Sequence, residues 1–193
     1  MLTDKLKGYR IILASKSPRR KELLKELGLQ FDILSYDTDE SFPDDMPVSE
    51  VPKFLANQKM KPFEDKISND ALVITADTIV YCDNKILGKP GNYDEAFEMI
   101  KMLSGKWHEV ATGVCILSLN KRVSFTTVTR VLFKELSNEE IDFYITNYHP
   151  YDKAGAYGIQ EWIGFIAVKK IEGSYFNVMG LPVQKLYEEL FRF

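Results

Sequence analysis

The chain has 193 residues, of which 45% are hydrophobic and 12% aromatic, enough to bury a full core in one domain. Its formal net charge of −3 excludes the overall positive field that drives non-specific binding to nucleic acid. No signal peptide and no membrane-spanning stretch is predicted. The two cysteines, Cys82 and Cys115, lack a C-x-x-C spacing, which favours a reducing compartment over a disulfide scaffold or a zinc site. We therefore expect a globular protein without a nucleic-acid or membrane partner.

The first predicted elements are a strand, a tight turn and a helix. An apolar run at residues 11–13 precedes the segment Ser-Lys-Ser-Pro-Arg-Arg at residues 15–20. Ser17 stands where a helix N-cap is expected, Pro18 where the first helical residue is expected, and Gly28 where a left-handed C-terminal stop is expected.

This pattern places Arg19 and Arg20 in the first turn of the helix. The first turn carries free N–H groups and the positive end of the helix dipole, so cations there are unfavourable unless an anion compensates. The segment therefore favours an anion site, with phosphate as the best fit, over a solvated helix terminus with exposed arginines.

The rest of the chain mixes strand and helix patterns without a repeat or a low-complexity tract, which predicts an α/β or α+β fold. An acidic loop is expected at residues 37–47, a hairpin turn at residues 83–84, and a helix cap at Asn92 with Glu95. The predicted strands are residues 29–34, 71–76 with a continuation at 79–81, 109–119, 123–133 and 164–171. The predicted helices begin near residue 51 with a stop near Pro62, at residue 93 with a stop at Gly105, at the capping box of Ser137 and Glu140, and at Pro182.

Asp77 interrupts an apolar strand between Ala76 and Thr78. A carboxylate in a buried strand must be desolvated unless a metal ion, a cation or a catalytic water holds it. An aspartate that ends a strand and caps the next turn is the alternative. Because apolar residues lie on both sides, the sequence favours the functional interpretation.

Three other charged residues carry little signal by themselves. Lys89 lies between Gly88 and Pro90, so its loop would fix the direction of the amine, although the tripeptide by itself favours a surface lysine in a turn. Glu40 belongs to the acidic loop and Lys59 to a helix of mixed character.

Residues 152–160 contain small side chains that would let backbone N–H groups approach a ligand. Gln160 ends this segment, and its amide offers both a donor and an acceptor, which suits the imide edge of uracil or thymine. Residues 173–182 form either a second tight connection or an ordinary turn before the last helix.

In their order and their residues, these motifs resemble those of the Maf (septum-formation-inhibitor) family of nucleoside triphosphate pyrophosphatases. The matching motifs span nearly the whole chain and are residues 14–20, 39–40, 76–80, 88–90, 104–105 with 112–114, 152–160 and 173–182. The resemblance implies one domain over residues 1–193 with a mixed α/β (α+β) fold like that of the inosine triphosphate pyrophosphatases. Such a fold has an elongated mixed sheet flanked by helices and a cleft between two lobes. A homodimer, a divalent metal cation (Mg²⁺ or Mn²⁺) and a cytoplasmic location are also implied.

The resemblance further implies hydrolysis of dTTP and UTP, or of modified pyrimidine nucleotides, to the monophosphate and pyrophosphate, as housecleaning of the nucleotide pool. It implies these roles: Ser15, Arg19 and Arg20 hold the triphosphate, Lys59 and Lys89 add positive charge, Asp77 accepts a proton, Glu40 assists Asp77 with metal or water, and Thr78 and Gln160 select the pyrimidine. One departure is Glu161-Trp162, where many members have a glycine after the glutamine. This pair is expected to add bulk and charge close to the base pocket.

Two alternatives stay open at this point. One is a nucleotide-responsive binding protein that inhibits septum formation, with hydrolysis secondary, and the other is a phosphatase that removes the γ-phosphate. A retained Asp77 together with both lysines favours an enzyme, because a sensor needs no water-activating carboxylate. The glycine-rich P-loop motif is absent, and His108 and His149 lack the spacing of a zinc hydrolase.

Overall fold

The computed structural model describes all 193 residues. Its α-helices are α1 (Leu2–Lys5), α2 (Pro18–Glu26), α3 (Val51–Glu64), α4 (Tyr93–Leu103), α5 (Asn138–Tyr148), α6 (Trp162–Ala167), α7 (Tyr175–Met179) and α8 (Val183–Leu190). Its strands are β1 (Arg10–Leu13), β2 (Asp32–Ile33), β3 (Ala71–Cys82), β4 (Lys85–Leu87), β5 (Trp107–Ser118), β6 (Lys121–Phe133) and β7 (Val168–Glu172). Two short 3₁₀ helices, Pro150–Asp152 and Ala154–Ala156, follow α5. None of the helices combines the length and the apolar character that crossing a membrane requires.

The strands form one mixed sheet in the order β2-β1-β3-β5-β6-β7, with β4 paired to β3. β1 is parallel to both β2 and β3. β4 runs antiparallel to β3, and β7 runs antiparallel to β6. Leu13 at the end of β1 pairs with Ile74 of β3. The segment that follows β1 and residues 75–77 of β3 therefore both lie at the carboxyl ends of these parallel strands, where ligand sites of α/β sheets are usually built.

The chain divides into two compact units, and β3, β5 and β6 contribute residues to both. The first unit is Met1–Asp77, Thr112–Thr127 and Gly180–Phe193, and the second is Thr78–Ala111 and Val128–Met179. Each unit has its own apolar core. In the first, α3 packs Ala56 and Met60 against Val73 of β3, and in the second, α4 and α5 pack through buried residues such as Ile100 and Ile141.

Local signals in the sequence are confirmed at several element boundaries. The Ser17 side chain accepts a hydrogen bond from the Arg20 backbone, and Gly28 has a φ of 74°. Asn92 caps α4, and Ser137 and Glu140 form a capping box at α5. The hairpin of β3 and β4 turns through two residues with positive φ, Asp83 and Asn84.

The prediction of a strand over residues 164–171 is wrong in its first half, because α6 covers Trp162–Ala167 and β7 starts only at Val168. Ile163 and Ala167, one helical turn apart, are fully buried, whereas Phe165 between them is 81% exposed. This is a helical period of burial. Gly164 permits it, since a Cβ there would lie 1.8 Å from the carbonyl oxygen of Ile159.

Other boundaries differ in extent. The two apolar runs predicted at residues 71–76 and 79–81 form one continuous strand, β3, with Asp77 inside it. β2 is only two residues long, and α3 runs two residues beyond Pro62, the expected stop. α7 lies within residues 173–182, which were expected to form only a connection.

Candidate active site

The segment between β1 and α2 folds back on itself around the Ser15 hydroxyl. This buried oxygen accepts hydrogen bonds from the Ser17 backbone N–H at 3.2 Å and from Nη1 of Arg20 at 3.4 Å. Arg19 is half-buried in the same first turn of α2. The turn therefore brings Ser15, Arg19 and Arg20 together, as the sequence predicted.

Arg20 bonds to main-chain carbonyl groups as well as lying at the helix N-terminus. Its Nε donates to the Gly180 carbonyl at 2.8 Å, and its Nη1 donates to the Ala76 carbonyl at 2.8 Å. Burial lowers the pKa of Arg20, and the nearby Asp77 carboxylate opposes that shift. The guanidinium thus ties α2 to the residue that precedes Asp77.

Asp77 lies in the interior of β3, and Lys59 of α3 reaches it. The Lys59 ammonium donates a hydrogen bond to Oδ1 of Asp77 and lies 2.8 Å from Oε1 of Glu40. The side chains of Asp77 and Lys59 are 12% and 18% exposed, whereas that of Glu40, in the loop after β2, is 54% exposed. A lysine that bridges two carboxylates supplies the cation that a desolvated Asp77 requires.

Two contacts hold α3 in place for this bridge. The buried Thr75 hydroxyl donates to the Ala56 carbonyl at 2.7 Å and so joins β3 to α3 one turn before Lys59. At the start of α3, Gly113 of β5 packs directly on the main chain, since a Cβ there would lie 2.1 Å from the carbonyl carbon of Pro52. The glycine is therefore a packing requirement of the helix that carries Lys59.

Asp77 and Glu40 are the predicted metal ligands. Nowhere in the chain do three or more His, Cys, Asp or Glu side chains form a group able to hold a metal ion. The first unit instead offers two carboxylates joined through one lysine, and carboxylate oxygens are the donors that Mg²⁺ and Mn²⁺ prefer.

The remaining predicted residues, Thr78, Lys89 and Gln160, belong to the second unit. Thr78 is half-buried in β3, and Lys89 is exposed in the loop after β4. Gln160 is half-buried, and its Oε1 is buried without a hydrogen-bond partner. A buried acceptor without a donor is costly unless a ligand supplies one.

Sequence reasoning did not identify the partners of Glu161. Its carboxylate accepts a hydrogen bond from the Tyr144 hydroxyl and lies 3.1 Å from the Lys153 ammonium. Trp162 packs on Phe143, with ring centroids 4.7 Å apart. Lys153 belongs to the small-residue motif, but nothing in the spacing indicates that α5 supplies the tyrosine.

Comparison with known proteins gives a consistent result. A sequence profile described as Maf-like protein matches residues 10–193. Three similar proteins, from Phocaeicola vulgatus, Flavobacterium johnsoniae and Parabacteroides distasonis, all carry the name dTTP/UTP pyrophosphatase. The first two are 53% and 52% identical over 190 residues, 98% of each chain, and the third is 49% identical over 193 residues, the full length of both. The chain therefore belongs to the Maf family.

Proposed function

We propose that this protein is a nucleoside triphosphate pyrophosphatase that hydrolyses dTTP and UTP between the α and β phosphates. The observation that carries the proposal is the Asp77–Lys59–Glu40 cluster beside the first turn of α2. Full-length similarity to proteins named dTTP/UTP pyrophosphatase supports the substrate class.

The triphosphate binds at the first turn of α2. The Ser15 hydroxyl supplies a hydrogen-bond donor, and the Arg19 guanidinium supplies donors and positive charge. Arg20 adds charge while it holds the carbonyls of Ala76 and Gly180. Lys89 adds a further cation that compensates charge growing on the departing pyrophosphate.

Asp77 acts as the proton acceptor for the attacking water. Lys59 binds one oxygen of the carboxylate, Oδ1, and fixes its rotamer, so Oδ2 can accept a hydrogen bond from water. Lys59 also compensates the charge of Asp77 in its desolvated position.

Glu40 and Asp77 would hold a divalent cation, Mg²⁺ or Mn²⁺. Two carboxylates together with phosphate oxygens of the substrate are a usual ligand set for Mg²⁺, so the donors present fit this ion. When bound, the cation supplies electrostatic stabilisation of the transferring phosphoryl group and of pyrophosphate. Lys59 contacts the same two carboxylates and must share them with the ion.

Base selection is assigned to Gln160 and Thr78. The unpartnered Oε1 of Gln160 can accept the imide N–H of uracil or thymine, whereas cytosine presents an acceptor at the same ring position. A site that leaves buried polar groups unpaired with the wrong base discriminates strongly.

The decisive experiment measures pyrophosphate and orthophosphate release from dTTP, UTP, CTP, ATP and GTP. We expect pyrophosphate as the product and dTTP and UTP as the preferred substrates. Asp77→Asn should lower turnover by about two orders of magnitude or more, the scale of losing a positioned general base. Asp70→Asn, an exposed residue that accepts a hydrogen bond from Ser68 at the start of β3, is the matched control and should keep full turnover.

Near-normal pyrophosphate release by a folded Asp77→Asn variant would exclude Asp77 as the base. Orthophosphate as the first product would exclude pyrophosphatase chemistry, and tight nucleotide binding without either product would identify a sensor. The homodimer and the cytoplasmic location stay predictions, and light scattering on the purified protein tests the first.

A further inference from the structure

Residues 158–161 form the turn that carries Gln160, and Tyr144 of α5 bonds to both ends of this turn. The turn closes with a hydrogen bond of 3.0 Å from the Glu161 backbone N–H to the Gly158 carbonyl. The fully buried Tyr144 hydroxyl accepts a hydrogen bond from the Gly158 N–H at 3.0 Å and donates one to the Glu161 carboxylate. Burial and the bond to Glu161 raise the pKa of Tyr144, so the hydroxyl stays protonated and remains the donor.

Lys153 holds the Glu161 carboxylate from another direction. Its ammonium lies 3.1 Å from Oε1 of Glu161 and 2.7 Å from Oδ1 of Asp152, and its side chain is only 8% exposed. Glu161 is 20% exposed. A carboxylate with one neutral donor and one buried cation has a defined position, because moving it would leave Lys153 partly uncompensated.

The carboxylate of Glu161 and the amide of Gln160 lie on the same side of Gly158. A Cβ built on Gly158 would be 3.0 Å from both Nε2 of Gln160 and Oε2 of Glu161. A carboxylate attracts the N–H end of an amide and repels its oxygen. Glu161 therefore favours the orientation in which Nε2 faces it, with Oε1 left as an unpartnered acceptor.

We infer that Glu161, clamped by Tyr144 and Lys153, is a positioning residue that orients the Gln160 amide and thereby sets the preference for uracil and thymine over cytosine. The inference rests on the function proposed above. An imide N–H requires an acceptor, whereas N3 of cytosine requires a donor. A reversed amide would supply that donor, so releasing the amide should improve CTP relative to UTP. The Glu161-Trp162 departure would then support base selection.

The test compares kcat/KM for UTP and CTP in the full-length protein and in Glu161→Gln, which keeps the shape but removes the charge. We expect the UTP to CTP ratio to fall about tenfold, the scale of one reoriented polar contact to the base. Glu172→Gln, which removes a charge from an exposed ion pair with Arg130 on β6, is the matched control and should leave the ratio unchanged. Tyr144→Phe removes the hydroxyl clamp and should shift the ratio in the same direction by a smaller factor.

A general loosening of the turn would lower kcat/KM for both substrates equally, and that result overturns the inference. The inference is also overturned if Glu161→Gln keeps the UTP to CTP ratio of kcat/KM within twofold of the unmodified protein, with an unchanged melting temperature. If Glu161→Gln does not fold, Tyr144→Phe takes its place in the test, and an unchanged UTP to CTP ratio in that variant overturns the inference. In a Gln160→Ala background, Glu161→Gln should have no further effect, because the amide that it orients is gone.

Gln160→Ala alone separates the base-recognition role of Gln160 from the positioning role of Glu161. If it keeps the full preference for UTP, the base-recognition role of Gln160 fails and the inference fails with it. If it loses the preference while Glu161→Gln keeps it, only the positioning role of Glu161 is overturned.

Discussion

Arg20 allows a direct test of whether the first turn of α2, the proposed triphosphate site, also contributes to the stability of the fold. Its guanidinium donates to the carbonyls of Ala76 and Gly180 at 2.8 Å each, and more weakly to the Ser15 hydroxyl at 3.4 Å. Arg20→Met keeps most of the aliphatic stem but removes these three hydrogen bonds. The two carbonyl groups then lose charged hydrogen-bond partners.

Each hydrogen bond from a charged donor contributes about 1.5–3 kcal/mol, and water can partly replace the guanidinium because Arg20 is only half-buried. We therefore expect Arg20→Met to lower the free energy of unfolding by about 2–4 kcal/mol. Arg20→Lys should recover less than half of this loss, since one ammonium cannot span two carbonyl groups as the planar fork does.

The assay is urea denaturation followed by circular dichroism, with linear extrapolation of the unfolding free energy. Arg10→Met is the matched control, because Arg10 forms an exposed ion pair with Asp32 at 2.7 Å that should contribute less than about 1 kcal/mol. If Arg20→Met and Arg10→Met are equally stable, the carbonyl contacts of Arg20 do not support the fold and the reasoning is refuted.

Two further predictions concern residues away from the charged cluster. Burial lowers the pKa of His108 to about 3, and protonating the ring would place an uncompensated charge beside the Tyr157 hydroxyl. Below pH 6.5 the unfolded state binds a proton at His108 that the folded state does not bind. The free energy of unfolding should therefore fall by about 1.4 kcal/mol for each unit by which the pH falls, down to about pH 3. His108→Phe should show a correspondingly shallower loss of stability in acid, and identical slopes would contradict this. Gly113→Ala should destabilise by at least about 3 kcal/mol, because its Cβ would collide with the Pro52 main chain. Gly8→Ala, where no atom lies within 4 Å, should change stability by less than about 1 kcal/mol, and equal melting temperatures for the two variants would disprove the close packing.

Several features could be predicted from the sequence because their physics is local. The cap at Ser17, the capping box at Ser137 and Glu140, and the turn at residues 83–84 each depend on side chains and backbone groups within a few positions of one another. The apolar run of β3 likewise indicated that Asp77 lies in a strand, from which its desolvation followed.

The helix α6 shows where local signals failed. Residues 162–167 are rich in branched and aromatic side chains, which are typical of a strand. The segment is a helix, in which Ile163 and Ala167 are buried and Gly164 lies close to Ile159. The burial and the close approach both depend on what the segment packs against.

The partners of the charged residues were likewise decided by the tertiary structure. Lys59 and Glu40 carried little signal of their own. Lys59 meets Asp77 because α3 packs on β3, and the same ammonium also contacts Glu40 of the loop after β2. Glu161 was expected to add charge close to the base pocket, and nothing in the sequence indicated that its partner Tyr144 would come from α5. Spacing along the chain determines where a helix or a turn begins, whereas the partner that compensates a buried charge depends on which distant elements the hydrophobic core brings together.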